Sequence, residues 1–247
     1  MEWVESDGIR WLSARLPGAT AAFTTRTGGI SEGEFASLNL GVLTDDAEDA
    51  VRENRRRLTA ALGRDPDGVL LGFQEHGAEV VVRDAPRSPS GWLEGLVEDP
   101  ADGQLTANPD LTPLVQVADC LPVALSGERG VAMLHCGWRG LAAGIIARGA
   151  EMVEAKAAAV GPGIGPCCFE VGQEVLERFT RLGSGIAAGR MLDLREVARR
   201  QLAAAGVDDV QVAEFCTSCE PELFFSHRRD NGRTGRQAGL VWRDADA

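Results

Sequence analysis

The stretch Leu114-Val115-Gln116-Val117-Ala118-Asp119-Cys120-Leu121-Pro122-Val123-Ala124-Leu125 decides the fold. Two apolar runs, 114–118 and 121–125, flank an Asp-Cys pair, and a third, 131–134, ends directly on His135. Runs this short, rich in Val and Leu, read as buried strands rather than helices. The amphipathic stretch 141–157 follows them and has helical spacing. Working outward, the same alternation recurs. Strands are expected at 21–25, 69–73, 79–82, 210–213 and 239–242, and helices at 47–62, 173–180 and 195–205. The pattern predicts an α/β fold over residues 1–247, a single domain with a mixed β-sheet covered by helices. The Pro-, Ser- and acid-rich stretch 84–102 reads as one long surface loop.

Composition narrows the function. The chain has 247 residues, 44% of them hydrophobic, enough for a full core without disulfide staples. Its net charge of −12 repels nucleic acid and anionic membranes, so neither is expected as a partner. The N-terminal stretch lacks the basic and apolar regions of a signal peptide, and a cytoplasmic location is expected. In reducing cytosol the six cysteines read as ligands, nucleophiles or buried small side chains rather than as three disulfides.

Only three histidines are present, and two of them carry the chemistry. His76, Cys120 and His135 each lie just past a short apolar run. If those strands are parallel neighbours, the three side chains emerge at one rim of a sheet, where α/β proteins gather ligands. Two imidazoles and a thiolate suit zinc, and three protein donors leave a fourth position open. His227 sits among arginines that repel a cation and is left out of the metal set.

Three further features stand out. Arg55 lies on the apolar stripe Val51, Leu58, Leu62 of the predicted helix 47–62, so its guanidinium needs an anionic partner, either a structural carboxylate or a bound phosphate. The island Ser226-His227-Arg228-Arg229-Asp230-Asn231-Gly232-Arg233-Thr234-Gly235-Arg236 is basic within an acidic chain. It can frame an anion site or pair with surface acids, the latter being the safer reading for any one arginine. Cys216-Thr217-Ser218-Cys219 is a lone C-x-x-C whose partner for a second metal site would be Cys167-Cys168. Adjacent cysteines are poorly placed for joint chelation, so thiols packed in the core or in turns are expected.

Several ordered motifs carry a family resemblance. They include Thr24-Thr25-Arg26-Thr27-Gly28-Gly29, Ser37-Leu38-Asn39-Leu40-Gly41, Gln74-Glu75-His76-Gly77, Ala118-Asp119-Cys120-Leu121-Pro122, His135-Cys136-Gly137-Trp138-Arg139-Gly140, Gly165-Pro166-Cys167-Cys168-Phe169-Glu170 and Phe224-Phe225-Ser226-His227-Arg228-Arg229. The chain resembles the YfiH-like family, long labelled laccase-domain or multicopper polyphenol oxidoreductases and more recently described as zinc-dependent purine nucleoside enzymes. The resemblance implies an α/β fold of layered mixed β-sheets flanked by helices, and zinc on His76, Cys120 and His135. It also implies phosphorolysis of adenosine, inosine, guanosine and methylthioadenosine, with adenosine deamination at the same site. The expected partners are therefore a small nucleoside and phosphate. Arg55 is the leading phosphate clamp, Arg26 and Asn39 are further candidates, and Asp119 or Glu170 would move protons. Cys136 stands where the family pattern leads one to expect a small residue. The family also includes a role in editing serine-misincorporated peptidoglycan precursors. The older laccase reading meets an objection, because multicopper oxidases need many histidines and this chain has three. Copper can still occupy such a site in vitro. Two other readings are a zinc-stabilised binding module and a thiol hydrolase with Cys120 as nucleophile and His135 as base.

Overall fold

The computed structural model describes residues 1–85, 91–95 and 99–244. In chain order the strands are β1 (Glu2–Ser6), β2 (Ile9–Leu16), β3 (Ala19–Thr24), β4 (Val69–Leu71), β5 (Val80–Val82), β6 (Gly103–Thr106), β7 (Thr112–Val117), β8 (Leu121–Gly127), β9 (Gly130–Cys136), β10 (Ala155–Val160), β11 (Ala187–Ala188), β12 (Met191–Leu192), β13 (Asp209–Val212) and β14 (Gln237–Arg243). The helices are α1 (Glu48–Ala61), α2 (Gly91–Glu94), α3 (Trp138–Ala142), α4 (Ile145–Val153), α5 (Gln173–Leu176) and α6 (Leu194–Ala204). Two six-stranded sheets result, ordered β1-β2-β3-β14-β7-β4 and β13-β10-β8-β9-β6-β5. Both are mixed: β4–β7, β5–β6 and β10–β13 pair parallel, the rest antiparallel.

Side-chain alternation along the strands sorts the core into layers. On β9, Val131 and Met133 face the other sheet, while Ala132, Leu134 and Cys136 face helices. The first sheet answers with Leu12, Ala14, Ala21, Phe23, Val115, Val117 and Val241. Its outer face packs Ile9, Trp11, Leu114 and Leu240 with Leu58 of α1 and Trp92 of α2. Against the outer face of the second sheet lie Ile145, Ile146 and Val153 of α4 and Val197, Ala198 and Leu202 of α6. The order is helix, sheet, sheet, helix.

All eight expected strands form, and the expected helices 47–62 and 195–205 appear as α1 and α6. The stretch 141–157 is divided. Gly144 (φ 88°) separates α3 from α4, and Glu154 (φ 52°) ends α4 in a left-handed turn. The chain then enters β10 at Ala155. Alanines favour helix by propensity, but burial between β8 and β13 overrides that preference. The stretch 173–180 is one α-turn, α5, continued as a 3₁₀ segment Glu177–Leu182. β1, β2, β6, β11 and β12 had no counterpart in the sequence reading. The expected loop 84–102 contains α2, with Trp92 buried; residues 86–90 and 96–98 of it lie outside the described residues.

Arg55 is buried as its helical stripe predicts, but its partner is not an anion. Nε donates to the Leu40 carbonyl at 2.8 Å, Nη1 donates to the Trp92 carbonyl, and the guanidinium lies 4.1 Å above the Trp92 ring. Carbonyl dipoles and a π-face replace the carboxylate or phosphate that the sequence reading required. Burial without a carboxylate pulls its pKa below the ordinary guanidinium value. Arg55→Ala would take one donor from each of two carbonyls, leaving the Leu40 carbonyl to Gln116 Nε2 and the Trp92 carbonyl to the Gly95 N–H, and would empty the buried space under the Trp92 ring. It should cost about 2–4 kcal/mol in denaturant unfolding while leaving metal content and phosphate dependence unchanged. A phosphate KM that rises in this variant without loss of stability would restore Arg55 as an anion ligand.

Candidate active site

The site lies at the seam between the sheets, not at the rim of one. β4 and β7 are parallel neighbours in the first sheet, and His76 and Cys120 follow them in the loops beyond. His135 belongs to the second sheet and sits inside β9 rather than after it. The β8–β9 register pairs Leu121 with Cys136, which sets Cys120 opposite Gly137, two residues from His135 on the same face. Cys136, between them, points to the helix side and is fully buried; burial raises its thiol well above the ordinary value. It is therefore turned away from the donors beside it in sequence.

The donor atoms of His76, Cys120 and His135 lie within 4.8 Å of one another, a spacing that one ion closes with modest side-chain movement. The two imidazoles meet edge to face, centroids 4.8 Å apart. His135 is buried, Cys120 half-buried and His76 exposed, so the cluster opens outward on one side. Gly137 makes room for it. A Cβ there would lie 2.9 Å from Cys120 Sγ and 3.2 Å from His76 Cδ2.

One carboxylate organises the donors. Asp102 accepts backbone N–H bonds from Glu75 (3.1 Å), His76 (3.0 Å) and Gly77 (2.7 Å), and its Oδ1 lies 2.7 Å from His135 Nδ1. Three successive N–H groups around a carboxylate form a nest, and this one holds His76 at φ 62°. With Nδ1–H given to Asp102, the other ring nitrogen of His135 keeps its lone pair for the cluster. Burial alone would push the Cys120 thiol up. The charge of His135 and hydrogen bonds from His135 and His76 outweigh it and hold Cys120 at about 6. Burial likewise opposes the charge on His135, but the Cys120 thiolate and Asp102 raise it to about 9. At neutral pH that lone pair of His135 therefore carries a proton toward Cys120, and a borderline-soft divalent ion would displace the proton to meet a thiolate and two imidazoles.

The cluster forms part of the wall of a cavity of about 520 Å³. Phe73, Trp138, Ile164 and Phe169 supply apolar wall; Gln74, Gln116, Asp119, Arg139, His227, Arg228 and Arg236 supply polar groups. Asp119, at φ 90°, accepts from Thr217 Oγ1 (2.6 Å) and from the Arg228 backbone N–H (2.7 Å). Left-handed backbone at both His76 and Asp119 places unusual conformations beside the donors, where functional sites tend to store them.

Not every predicted residue reaches the cavity. Arg55, Arg26 and Asn39 do not line it. Arg26 donates to the carbonyls of Ala36 (2.6 Å) and Pro221 (3.0 Å) and lies over the Phe225 ring. Asn39 is fully buried, donating to Thr44 and Asp46 and accepting from the N–H groups of Gly41 and Arg236. Glu170 pairs with Arg190 at 3.1 Å and is likewise outside the lining. The basic island divides between its two readings: Arg233 pairs with Glu34 at 2.7 Å and Arg229 with Asp230 at 2.8 Å, while His227, Arg228 and Arg236 line the cavity. Arg236 Nη1 is held by the carbonyls of Thr234 and Gly235, and the fields of Cys120 and Asp119 partly offset the lowering of its pKa by burial. Among the described residues neither Arg228 nor Arg236 meets a side-chain carboxylate. Asp102, which stands in the sequence only as the last residue of the expected surface loop 84–102, is the functional residue least visible there.

Fold and site together define a two-sheet α/β protein with an open His–Cys–His pocket. The chain belongs to the family described as multi-copper polyphenol oxidoreductase laccase, which matches residues 20–244. It is 39% identical over 250 residues to "Purine nucleoside phosphorylase PA4543" of Pseudomonas aeruginosa, covering 94% of this chain and 98% of that one. It is 37% identical over 238 residues to "Purine nucleoside phosphorylase YfiH" of Escherichia coli, covering 91% and 94%. The crystal structure of YlmD from Geobacillus stearothermophilus superposes with a TM-score of 0.89 at 35% identity, covering 97% of each chain. No helix among the described residues is long and apolar enough to cross a membrane.

If Asp102 orients the donors, Asp102→Ala should weaken metal binding about 10–100-fold, read by competition with a chromogenic chelator. Gly137→Ala, which crowds Cys120 and His76, should weaken it in the same direction. Unaltered affinity in both variants would mean that the donors are held by other means.

Proposed function

We propose that this chain is a zinc-dependent purine nucleoside phosphorylase that also deaminates adenosine at the same site. One observation carries the proposal: an open three-donor cluster shares a cavity with an apolar wall and with two arginines, Arg228 and Arg236, that form no ion pair with a carboxylate among the described residues. The names of the curated relatives support the same reaction. The cavity volume of about 520 Å³ falls in the range of small-ligand sites.

The chemistry assigns roles to the residues. Phosphorolysis joins phosphate to the ribose C1′ as the purine leaves, so an anion must be held beside the sugar. Arg228 and Arg236 are the candidates, each anchored through Nη1 and keeping its other N–H groups for phosphate oxygens. Phe73, Trp138 and Phe169 offer flat apolar surface to a purine, and Gln74 and Gln116 offer amides to its edge. When bound, zinc supplies Lewis-acid chemistry that brings the pKa of water to about 7, which is what deamination of adenosine requires. Both carboxylate oxygens of Asp119 are engaged, so Asp119 positions Arg228 rather than carrying protons. His227, exposed at the cavity, is the candidate for proton transfer. Adenosine, inosine, guanosine and methylthioadenosine are the substrates to try.

Zinc-loaded protein should convert inosine and phosphate to hypoxanthine and a phosphorylated ribose, and should form inosine from adenosine without phosphate. Single substitutions His76→Ala, Cys120→Ala and His135→Ala should remove the metal and both activities together. Arg236→Ala should raise the phosphate KM roughly 10–150-fold, the loss of one charge-assisted contact of about 1.5–3 kcal/mol, and spare deamination. Failure of zinc-loaded protein on every nucleoside would sink the proposal, and serine-containing peptidoglycan precursors would be next. Metal-free protein that hydrolyses substrates through Cys120, or phenol oxidation with added copper, would each point to a different enzyme.

A further inference from the structure

Outside the cavity, the structure gathers a second set of soft donors. The Sγ atoms of Cys167, Cys168, Cys216 and Cys219 lie within 4.8 Å of one another. The thiols lie in turns, as expected, but the turns bring all four together. Cys219 Sγ is 3.5 Å from Cys167 Sγ and 3.4 Å from Cys168 Sγ, and all the cysteines are free. Four sulfurs around one zinc, with Zn–S bonds of ~2.3 Å, stand ~3.8 Å apart at the edges of the tetrahedron. A disulfide would need ~2.05 Å. The observed separations lie near the first value and far from the second.

The objection to adjacent cysteines does not hold here. Pro166, Cys167 and Cys168 form a tight turn in which the N–H groups of Cys168 and Phe169 both bond to the Gly165 carbonyl at 3.0 Å. In such a turn successive side chains diverge far less than on a strand, so both sulfurs reach Cys219. The Cys216–Cys219 segment makes a matching turn, with the N–H groups of Cys219 and Glu220 on the Cys216 carbonyl at 3.1 Å. The Gly165 N–H donates to Cys216 Sγ at 3.2 Å, the kind of bond that favours a thiolate. A Cβ on Gly165 would lie 2.8 Å from Arg195 Nη2 and 3.3 Å from Cys167 Sγ, so a guanidinium stands beside the sulfurs. That cation suits a tetrathiolate of net negative charge.

We propose that Cys167, Cys168, Cys216 and Cys219 form a second, structural metal site that takes one zinc ion as a tetrathiolate, separate from the His76–Cys120–His135 cluster. Loading releases the thiol protons to solvent and changes no oxidation state. Four protein donors leave no open position, so the site is closed and structural. It staples two turns that both serve the cavity: one carries Ile164 and Phe169 in the cavity wall, the other carries Thr217, whose hydroxyl holds Asp119.

Elemental analysis of protein purified under reducing conditions should find two zinc ions per chain. One should remain in Cys120→Ala, and one should be lost in Cys219→Ser. Cobalt(II) added to metal-stripped Cys120→Ala protein should give near-ultraviolet sulfur-to-cobalt charge transfer and intense visible bands of a tetrahedral tetrathiolate, because the only other remaining thiol is the buried Cys136. That spectrum does not depend on Cys219→Ser folding. Absence of the charge-transfer bands with all four thiols reduced would overturn the proposal. So would a disulfide between the turns in peptide maps of protein prepared with reductant.

Discussion

The Asp102 carboxylate is the interaction on which the site depends. It closes the nest at residues 75–77, which fixes the backbone of His76, and it meets the ring of His135 on the other sheet. The same residue is tied by its own backbone, its N–H to the Glu79 carbonyl at 3.0 Å and its carbonyl to the His135 N–H at 2.7 Å. A carboxylate buried to this degree is tolerable only because four donors surround it. Those donors outweigh the cost of burial and hold its pKa below the ordinary value. The charge then acts on the chemistry. It favours a protonated or metal-bound His135, and His135 in turn favours the Cys120 thiolate.

Two sheets packed face to face give that carboxylate something to join. The chain crosses from the first sheet to the second through Ala118, Asp119 and Cys120, between β7 and β8. A crossing loop cannot continue either hydrogen-bond ladder. Its polar groups are satisfied by neighbours instead, Asp119 through Thr217 and Arg228 and its carbonyl through the Ile164 N–H. The loops that complete the cavity are therefore those recruited to satisfy this crossing. Small side chains between the sheets, Ala21, Ala124, Ala157 and Ala159, interdigitate with Phe23, Leu12 and Met133 and keep the layers close.

Much of this was legible because it is periodic. The apolar runs around Cys120 and before His135 mark strands by length and by Val and Leu content, and the three donors stand out because histidine is so scarce. His76, Cys120 and His135 do converge, though on two sheets rather than at the rim of one. Nothing in local spacing distinguishes parallel neighbours from opposed sheets, since that depends on pairings between distant segments. β10 was hidden because Ala-Lys-Ala-Ala-Ala carries helix propensity, and only burial on both faces makes it a strand. Asp102 was hidden because its partners are backbone N–H groups, which every residue has and no sequence displays. The cysteine pairs were visible, but the turn that lets adjacent sulfurs converge was not.

The arginines show why burial is a poor guide to anion binding. A guanidinium inside the core spends most of its donors on the fold itself. Arg55 gives Nε and Nη1 to two carbonyls and stacks on the Trp92 ring, with Nη2 buried and unpartnered, and the half-buried Arg26 is held by carbonyls and the Phe225 ring. Neither keeps the outward-facing donors that recognition needs. Arg228 and Arg236 are anchored on one side, by the Glu170, Thr234 and Gly235 carbonyls, and border the cavity on the other. Partial anchoring fixes direction while leaving hydrogen-bonding capacity unspent. In an acidic chain such cations find abundant carboxylates at the surface, so two that border the cavity and form no ion pair with a carboxylate among the described residues are held apart by the fold. The glycines of the island, Gly232 at φ 90° among them, give its backbone the turns that bring both arginines to the cavity.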